Sequence, residues 1–409
     1  MTLPAITLND ARALDVADPL ARYRDRFALP DGVIYLDGNS LGVLPRSVPA
    51  ALADAATRQW GDRLIRSWNE GWIDAPARIG AKIAPLVGAG AADVIVSDTT
   101  SANLYKLLVA ALQADPSRRT IVSETGNFPT DLHIAEGAVA SVPGARLHAV
   151  AREDLAGAID NDTAVVLLTH VHYKTAERFD MAAWTMRAHA AGALMLWDLS
   201  HSVGAVPIDL AGCGADMAVG CCYKYLNGGP GAPAFLYVAP GLQGRLASPL
   251  SGWMGHAAPF AFEDGYRPAP GMKRWLAGTP AILAMAALEA AVDLWVDVDQ
   301  QQVATKSAAL FDSLAAAGDA IGLDCISPRD PAARGSHISF RHPHAHALTQ
   351  ALIGRGVIGD FRDPDVLRLG LTPLYLSHED VWRAGEHLRQ VIDSGEWRDP
   401  RFAERLAVT

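Results

Sequence analysis

The middle of this chain alternates short apolar runs with stretches of helical period, and that alternation restricts it to few architectures. The apolar runs lie at 93–97 (DVIVS), 120–123 (TIVS), 164–169 (AVVLLT), 193–198 (ALMLWD), 217–220 and 234–238. Helical patterns fill 101–114, 131–140 and 180–191. Strands and helices in turn predict an α/β fold, a mostly parallel sheet flanked by helices on both faces. Such sheets bind ligands beyond the carboxyl ends of their strands. The notable polar residues fall at those ends: 97–100 (SDTT), Thr169-His170, Asp198, and the loop through Lys224. Beyond about residue 290 the pattern changes. A long helix over 281–303 leads to a strand at 337–340, a helix near 345–354 and a strand near 366–370, which read as a smaller α+β domain.

With 409 residues, half of them hydrophobic and a fifth charged, the chain suits two packed domains better than one. We expect a large domain at 61–285 and a small one made of 1–60 together with 286–409. The formal net charge of −10 and the scattered basic residues argue against nucleic acid as a partner. Cys213, Cys221, Cys222 and Cys325 form no CxxC pair, so neither a zinc site nor a disulfide framework is predicted, and a reducing cytoplasmic setting fits. The first 27 residues are too polar for a signal peptide, and no apolar run reaches membrane-spanning length.

Asp198 closes the run LMLWD. A carboxylate there can pair with a buried cation, such as a protonated pyridine nitrogen, or simply cap a turn. Lys224 stands between an apolar segment and the glycine-rich turn NGGPG. Desolvation makes a lysine a better amine nucleophile, although a lysine at a loop edge can also snorkel to solvent. Together, one carboxylate and one lysine on neighbouring strand ends suit pyridoxal 5'-phosphate (PLP), held covalently as a Schiff base on Lys224. His201, three residues after Asp198, can reach the same site. Thr99, Thr100 and Ser101 follow a strand and open a helix, where hydroxyls and free N–H groups bind a phosphate or serve as a plain N-cap. Phe128, held by Pro129, can stack on a ring face. Thr130 or Asp131 can equally cap the helix that follows.

Other groupings carry less. Asp198, Ser200 and His201 lack a GxSxG elbow and are too close in sequence for a hydrolase triad. His342, His344 and His346 alternate, but Pro343 favours a solvated loop over a metal site. His170 and His172 read as core-edge histidines, and Cys221-Cys222 as a buried pair.

The strings YLDGNSLG at 35–42, FPTD at 128–131 and YKYLNGGPG at 223–231, with the Asp198/His201 pair, resemble kynureninase, a family in the aspartate-aminotransferase fold group of PLP enzymes (fold type I). The resemblance spans about 30–380. It implies PLP-dependent hydrolysis of L-kynurenine, or of 3-hydroxy-L-kynurenine, to anthranilate (or 3-hydroxyanthranilate) and L-alanine in tryptophan catabolism. It implies Lys224 and Tyr223 as catalytic groups, with Asp198 against the pyridine nitrogen and Phe128 on the ring. Thr99, Thr100 and Tyr223 would hold the phosphate, with Trp253 and Thr279 from the partner of a cytoplasmic homodimer that shares its active sites. Position 279 is Thr where many members carry Asn. Pro129, Thr130, Asp131, Thr169 and His201 would line the cofactor pocket. Arg368 would clamp the substrate carboxylate, with Asn39, Ser40 and Trp68 nearby. The same residue types also fit another fold-type-I lyase, such as a cysteine desulfurase, or a non-catalytic PLP-binding protein.

Overall fold

The structure is a computed structural model and describes residues 6–405. Residues 1–5 of the polar N-terminal stretch, and 406–409 at the end of the expected small domain, lie outside the described residues.

The apolar runs of the middle region assemble into a seven-stranded sheet in the order Val94–Val96, Phe235–Val238, Met217–Gly220, Leu194–Asp198, Thr163–Thr169, Thr120–Glu124, Arg146–Val150. From Met217–Gly220 onward the neighbours are parallel, while Phe235–Val238 runs antiparallel to both of its own. Alternate residues of one strand enter different cores, because successive side chains point to opposite faces. Val165 and Leu167 pack with the helices Thr100–Ala114 and Pro129–Ala140. Val166 and Leu168 join a second core that continues into the C-terminal region through Leu310, Ile338 and Leu367. Burial on both faces explains why these strands read as unbroken apolar runs. Arg146–Val150 is the edge strand, only partly buried, and its sequence RLHAV gave no such signal.

The single helix expected over 281–303 is two. Ile282–Val292 ends in a short 3-10 turn, and Gln300–Ala320 starts afresh. Asp299 accounts for the break: its carboxylate accepts from the Gln301 N–H at 2.8 Å and caps the second helix. The C-terminal region then forms an antiparallel sheet, Asp360–Arg362, Val366–Gly370, His337–Arg341 and Asp324–Cys325 in that order. The N-terminal segment packs onto it. Ile34–Tyr35 pairs in parallel with Val357–Ile358. Between the two sheets, the N-terminal chain passes over the Lys224 loop. Gly42 donates its N–H to the Tyr223 carbonyl at 2.8 Å, and Asn227 Nδ2 donates to the Val43 carbonyl at 2.9 Å.

Candidate active site

Lys224, Asp198, His201, Asp131 and Thr169 converge at the carboxyl ends of the central strands, all buried. Asp198 is the last residue of its strand and pairs in register with Thr169 on the next. Its Oδ1 accepts from the Ser200 N–H at 2.6 Å, which fixes the turn that swings His201 inward. Lys224 Nζ lies 2.9 Å from His201 Nε2. Burial, then the Lys224 and Arg368 charges, hold the His201 pKa well below its ordinary value. The imidazole is therefore neutral, its Nε2 accepts from Lys224, and its Nδ1–H faces no protein partner among the described residues.

Asp131 lies against Asp198. Neither Thr130 nor Asp131 caps its helix, which starts at Pro129 after Phe128 with no side-chain cap, as the fixed φ of proline allows. Asp131 turns inward instead. Burial and the Asp198 charge push its pKa well up, and burial raises Asp198 too. The Thr169 hydroxyl is 3.0 Å from Asp131 Oδ2 and 2.5 Å from Asn127 Oδ1. One hydroxyl proton cannot serve both acceptors, so a proton on the Asp131 carboxyl completes the set. Two buried carboxyls sharing one proton, with Asp131 Oδ1 unpartnered, form a site that gains from an added cationic N–H.

Phe128 is half-exposed above this group, its ring centroid 5.6 Å from Lys224 Nζ and edge-on to Tyr173 at 5.3 Å. Thr99 is the N-cap of Thr100–Ala114, its hydroxyl accepting from the Ala102 N–H at 3.2 Å, while the Thr100 and Ser101 N–H groups have no partner among the described residues. The preceding Asp98 sits at a φ of +46°, a left-handed backbone that costs a non-glycine residue about 1–3 kcal/mol. A fully buried lysine, Lys106, holds it there. Its Nζ donates to Asp98 Oδ2 at 2.8 Å, to Ser97 Oγ at 3.2 Å and to the Trp275 carbonyl at 2.7 Å. Sequence reasoning missed Lys106 inside an apolar helix, although a lone lysine in YKLLVAAL was a readable signal.

Arg368 is buried, not a surface charge. Its Nε donates to Asp360 Oδ1 at 2.8 Å, its Nη2 to Asp360 Oδ2 and to Ser40 Oγ, and its Nη1 to the Tyr173 carbonyl at 2.6 Å. With its amide oxygen turned inward, Asn39 accepts from the same guanidinium at 3.0 and 3.2 Å. Arg368, Asn39, Ser40, Asp360 and Arg362 thus form one polar group. A Cβ at residue 370 would fall 1.8 Å from the end of the Asn39 side-chain amide, so only glycine lets Asn39 approach the clamp. Asp37, Asp360 and Arg362 escaped the sequence reading.

Tyr223 is half-buried, its ring centroid 5.8 Å from Lys224 Nζ, and burial raises its hydroxyl pKa. Trp68 packs edge-on against Trp72 at 5.6 Å. Trp253 stands edge-on to Phe260, and Thr279 is exposed. None of these three has a hydrogen bond or ring contact with the Lys224 group among the described residues. His344 stacks on Trp397 at 4.7 Å, and no metal-competent cluster occurs among the described residues. Cys221 and Cys222 are free and buried. His170 is buried against Trp197.

The Kynureninase C-terminal domain family matches residues 303–388. Over 416 residues the chain is 50% identical to a kynureninase of Burkholderia pseudomallei (strain 1106a), covering 98% of this chain and 100% of that one. Among solved structures, the apo cysteine desulfurase of Thermococcus onnurineus NA1 is similar with a TM-score of 0.76 at 18% identity, covering 91% of this chain and 98% of that one. A C-DES variant with glycine covalently linked to its PLP cofactor gives a TM-score of 0.75 at 18% identity, covering 89% and 98%. At those identities the two solved structures show a shared fold alone.

Proposed function

The chain belongs to the kynureninase family, and from that premise we propose how its own residues carry the reaction. It is a PLP-dependent hydrolase that cleaves L-kynurenine to anthranilate and L-alanine, a step of tryptophan catabolism. The Cβ–Cγ bond of the substrate breaks. The oxygen of water ends in the anthranilate carboxyl, and Cβ keeps the bonding pair and takes a proton. When bound, PLP supplies a cationic ring that withdraws electrons from the amino acid joined to it.

The observation that carries the site assignment is the meeting of Lys224 with His201 and the Asp198/Asp131 pair in one buried group. Lys224 would hold the cofactor through Nζ and, once released from it, move the substrate α-proton. Neutral His201 would orient that amine through Nε2. Asp198, backed by protonated Asp131, would keep the pyridine nitrogen protonated, because a carboxylate in a buried site favours the cation beside it. Phe128 would cover one ring face, with Pro129 and Thr130 fixing its turn. The Thr99–Thr100 helix start and the Tyr223 hydroxyl would take the phosphate. Arg368, braced by Asp360 and Ser40, would receive the substrate carboxylate with Asn39 beside it. 3-Hydroxy-L-kynurenine would enter the same cleft.

The cofactor-binding large domain would span 61–285, and 1–60 with 286–409 the small one. A homodimer in the cytoplasm would complete the site with the partner's Trp253 and Thr279, and Trp68 would lie near the substrate. Support for the dimer is the outward placement of these residues beside exposed apolar side chains, Trp60, Leu64, Ile65, Phe260 and Phe262. No helix among the described residues is long and apolar enough to cross a membrane.

The test is direct. Protein purified with PLP should show visible cofactor absorption that Lys224→Ala abolishes, and should release fluorescent anthranilate and alanine from L-kynurenine. Cofactor absorption without anthranilate would remove the substrate assignment and leave the cofactor site standing.

A further inference from the structure

The carboxylate clamp holds two arginines, and their free hydrogen-bond donors are unequally distributed. Arginine has five N–H donors and no acceptor. Arg368 spends its Nε–H and both Nη2–H groups on Asp360 and Ser40, and one Nη1–H on the Tyr173 carbonyl. A single Nη1–H remains, so Arg368 by itself cannot grip a carboxylate with the two parallel bonds of a fork. Arg362 is the reverse case. Its Nη2 donates to Asp360 Oδ2 at 2.5 Å and to Ser40 Oγ at 3.2 Å, so both guanidiniums meet at one carboxylate oxygen. Its Nε lies buried with no acceptor among the described residues, and the hydrogen bonds it makes there run through Nη2 alone, leaving Nη1 uncommitted.

Strand register places the two arginines together. Asp360 stands directly opposite Arg368, and Arg362 lies two residues further on the same face of the small sheet. The Arg362 charge reaches the Lys224 group, for it contributes to holding both His201 and His337 neutral. The charge balance leaves room for an anion. Against two guanidiniums stand Asp360 and Asp37, and burial with the Asp360 charge raises Asp37 to about 7. Protonated Asp37 leaves the cluster with one net positive charge, the complement of one carboxylate.

We propose that Arg362 is a second carboxylate-binding residue, completing with the last free N–H of Arg368 the site for the substrate's α-carboxylate. Arg368 is the structural arm, locked by Asp360, Ser40 and Tyr173, and Arg362 is the arm with donors to give. This rests on the amino-acid-hydrolase reading above and assigns a further residue to it.

The experiment uses PLP-loaded wild type, Arg362→Gln and Arg362→Lys. Each is assayed for L-kynurenine turnover and for competitive inhibition by L-alanine against L-alaninamide, which differ at the carboxylate. Loss of a charge-assisted hydrogen bond predicts a KM raised about 10–100-fold in Arg362→Gln with kcat within about threefold. It also predicts that the preference for alanine over its amide shrinks by a similar factor. A merely structural Arg362 would leave that preference unchanged, and an unchanged ratio in Arg362→Gln overturns the proposal. Should the Gln variant fail to load PLP, the Lys variant decides. It keeps the charge and the Asp360 contact but not the fork, so a reduced alanine preference supports the proposal and an unchanged one overturns it. Wild type that makes no anthranilate would overturn the underlying reading instead.

Discussion

Single buried charges decide much of this site. Asp37 is neutral below its raised pKa and anionic above it, so the cluster of Asp37, Asp360, Arg362 and Arg368 falls from one net positive charge to none as pH passes about 7. Tyr35, Tyr225 and Tyr375, the tyrosines that feel the Asp37 charge, are all pushed further up and stay protonated. The KM for L-kynurenine should therefore rise about tenfold, worth ~1.4 kcal/mol, from pH 6 to pH 8.5. In Asp37→Asn it should stay flat at the low value. Steady-state profiles of both proteins check this, and a parallel rise in the variant would assign the effect elsewhere. Lys106 is the second case. Lys106→Met removes the buried cation paired with Asp98 and frees a strained turn just before Thr99. It should cost about 2 kcal/mol of stability, because the buried Trp275 carbonyl loses its donor, and weaken PLP binding about tenfold or more while kcat of fully loaded enzyme holds. Fluorescence titration of the apoprotein with PLP measures it, and an unchanged Kd would limit Lys106 to the core.

At the scale of elements, the Lys224 loop is held by its neighbours more than by its own sequence. The N-terminal chain crosses it so closely that a Cβ on Gly42 would lie 2.2 Å from the Lys224 carbonyl and 2.6 Å from Asn227 Nδ2. Gly42→Ala must push that crossing apart. We expect a loss of about 2 kcal/mol in thermal unfolding and a fall in kcat larger than any change in far-ultraviolet circular dichroism would suggest. Normal kcat in the variant would show that the crossing is not needed to place Lys224. Helix ends illustrate the same dependence. The start at Pro129 leaves Asp131 free to turn inward, whereas a capping Asp131 would have been lost to the cofactor group. The break at Asp299 lets Gln300–Ala320 pack on His378–Ser394 instead of running on from Ile282–Val292.

For the whole molecule, the proposed homodimer makes a prediction at two of its exposed apolar side chains. Ile65 is 77% exposed and Trp60 59%, on a segment that includes the wide π-type turn Ala55–Arg63. An Ile65→Glu, Trp60→Glu double variant should shift sedimentation from dimer toward monomer and lower PLP affinity with it, because Trp253 and Thr279 make no hydrogen bond or ring contact with the Lys224 group of their own chain among the described residues. A variant that stays dimeric and fully active would place the interface elsewhere.

The amino-acid sequence by itself determined the central sheet, nearly strand by strand. Two-sided burial writes itself as continuous apolar runs, and the chemistry of a parallel sheet puts ligands at known strand ends. It also marked Lys224, Asp198, His201, Phe128 and the Thr99–Thr100 helix start, because each sits beside a local signal: a strand end, a glycine-rich turn, an X-Pro step. Tertiary structure alone decided the rest. The edge strand Arg146–Val150 lacks two-sided burial, so its pattern is weak. Asp37, Asp360, Arg362 and Arg368 lie up to 331 positions apart and become one charged cluster only when strand register sets Asp360 opposite Arg368 and the N-terminal segment lies across them. The proton held by Asp131 and the neutrality of His201 likewise belong to no local pattern. Both follow from desolvation, and desolvation exists only once distant segments have closed over the group.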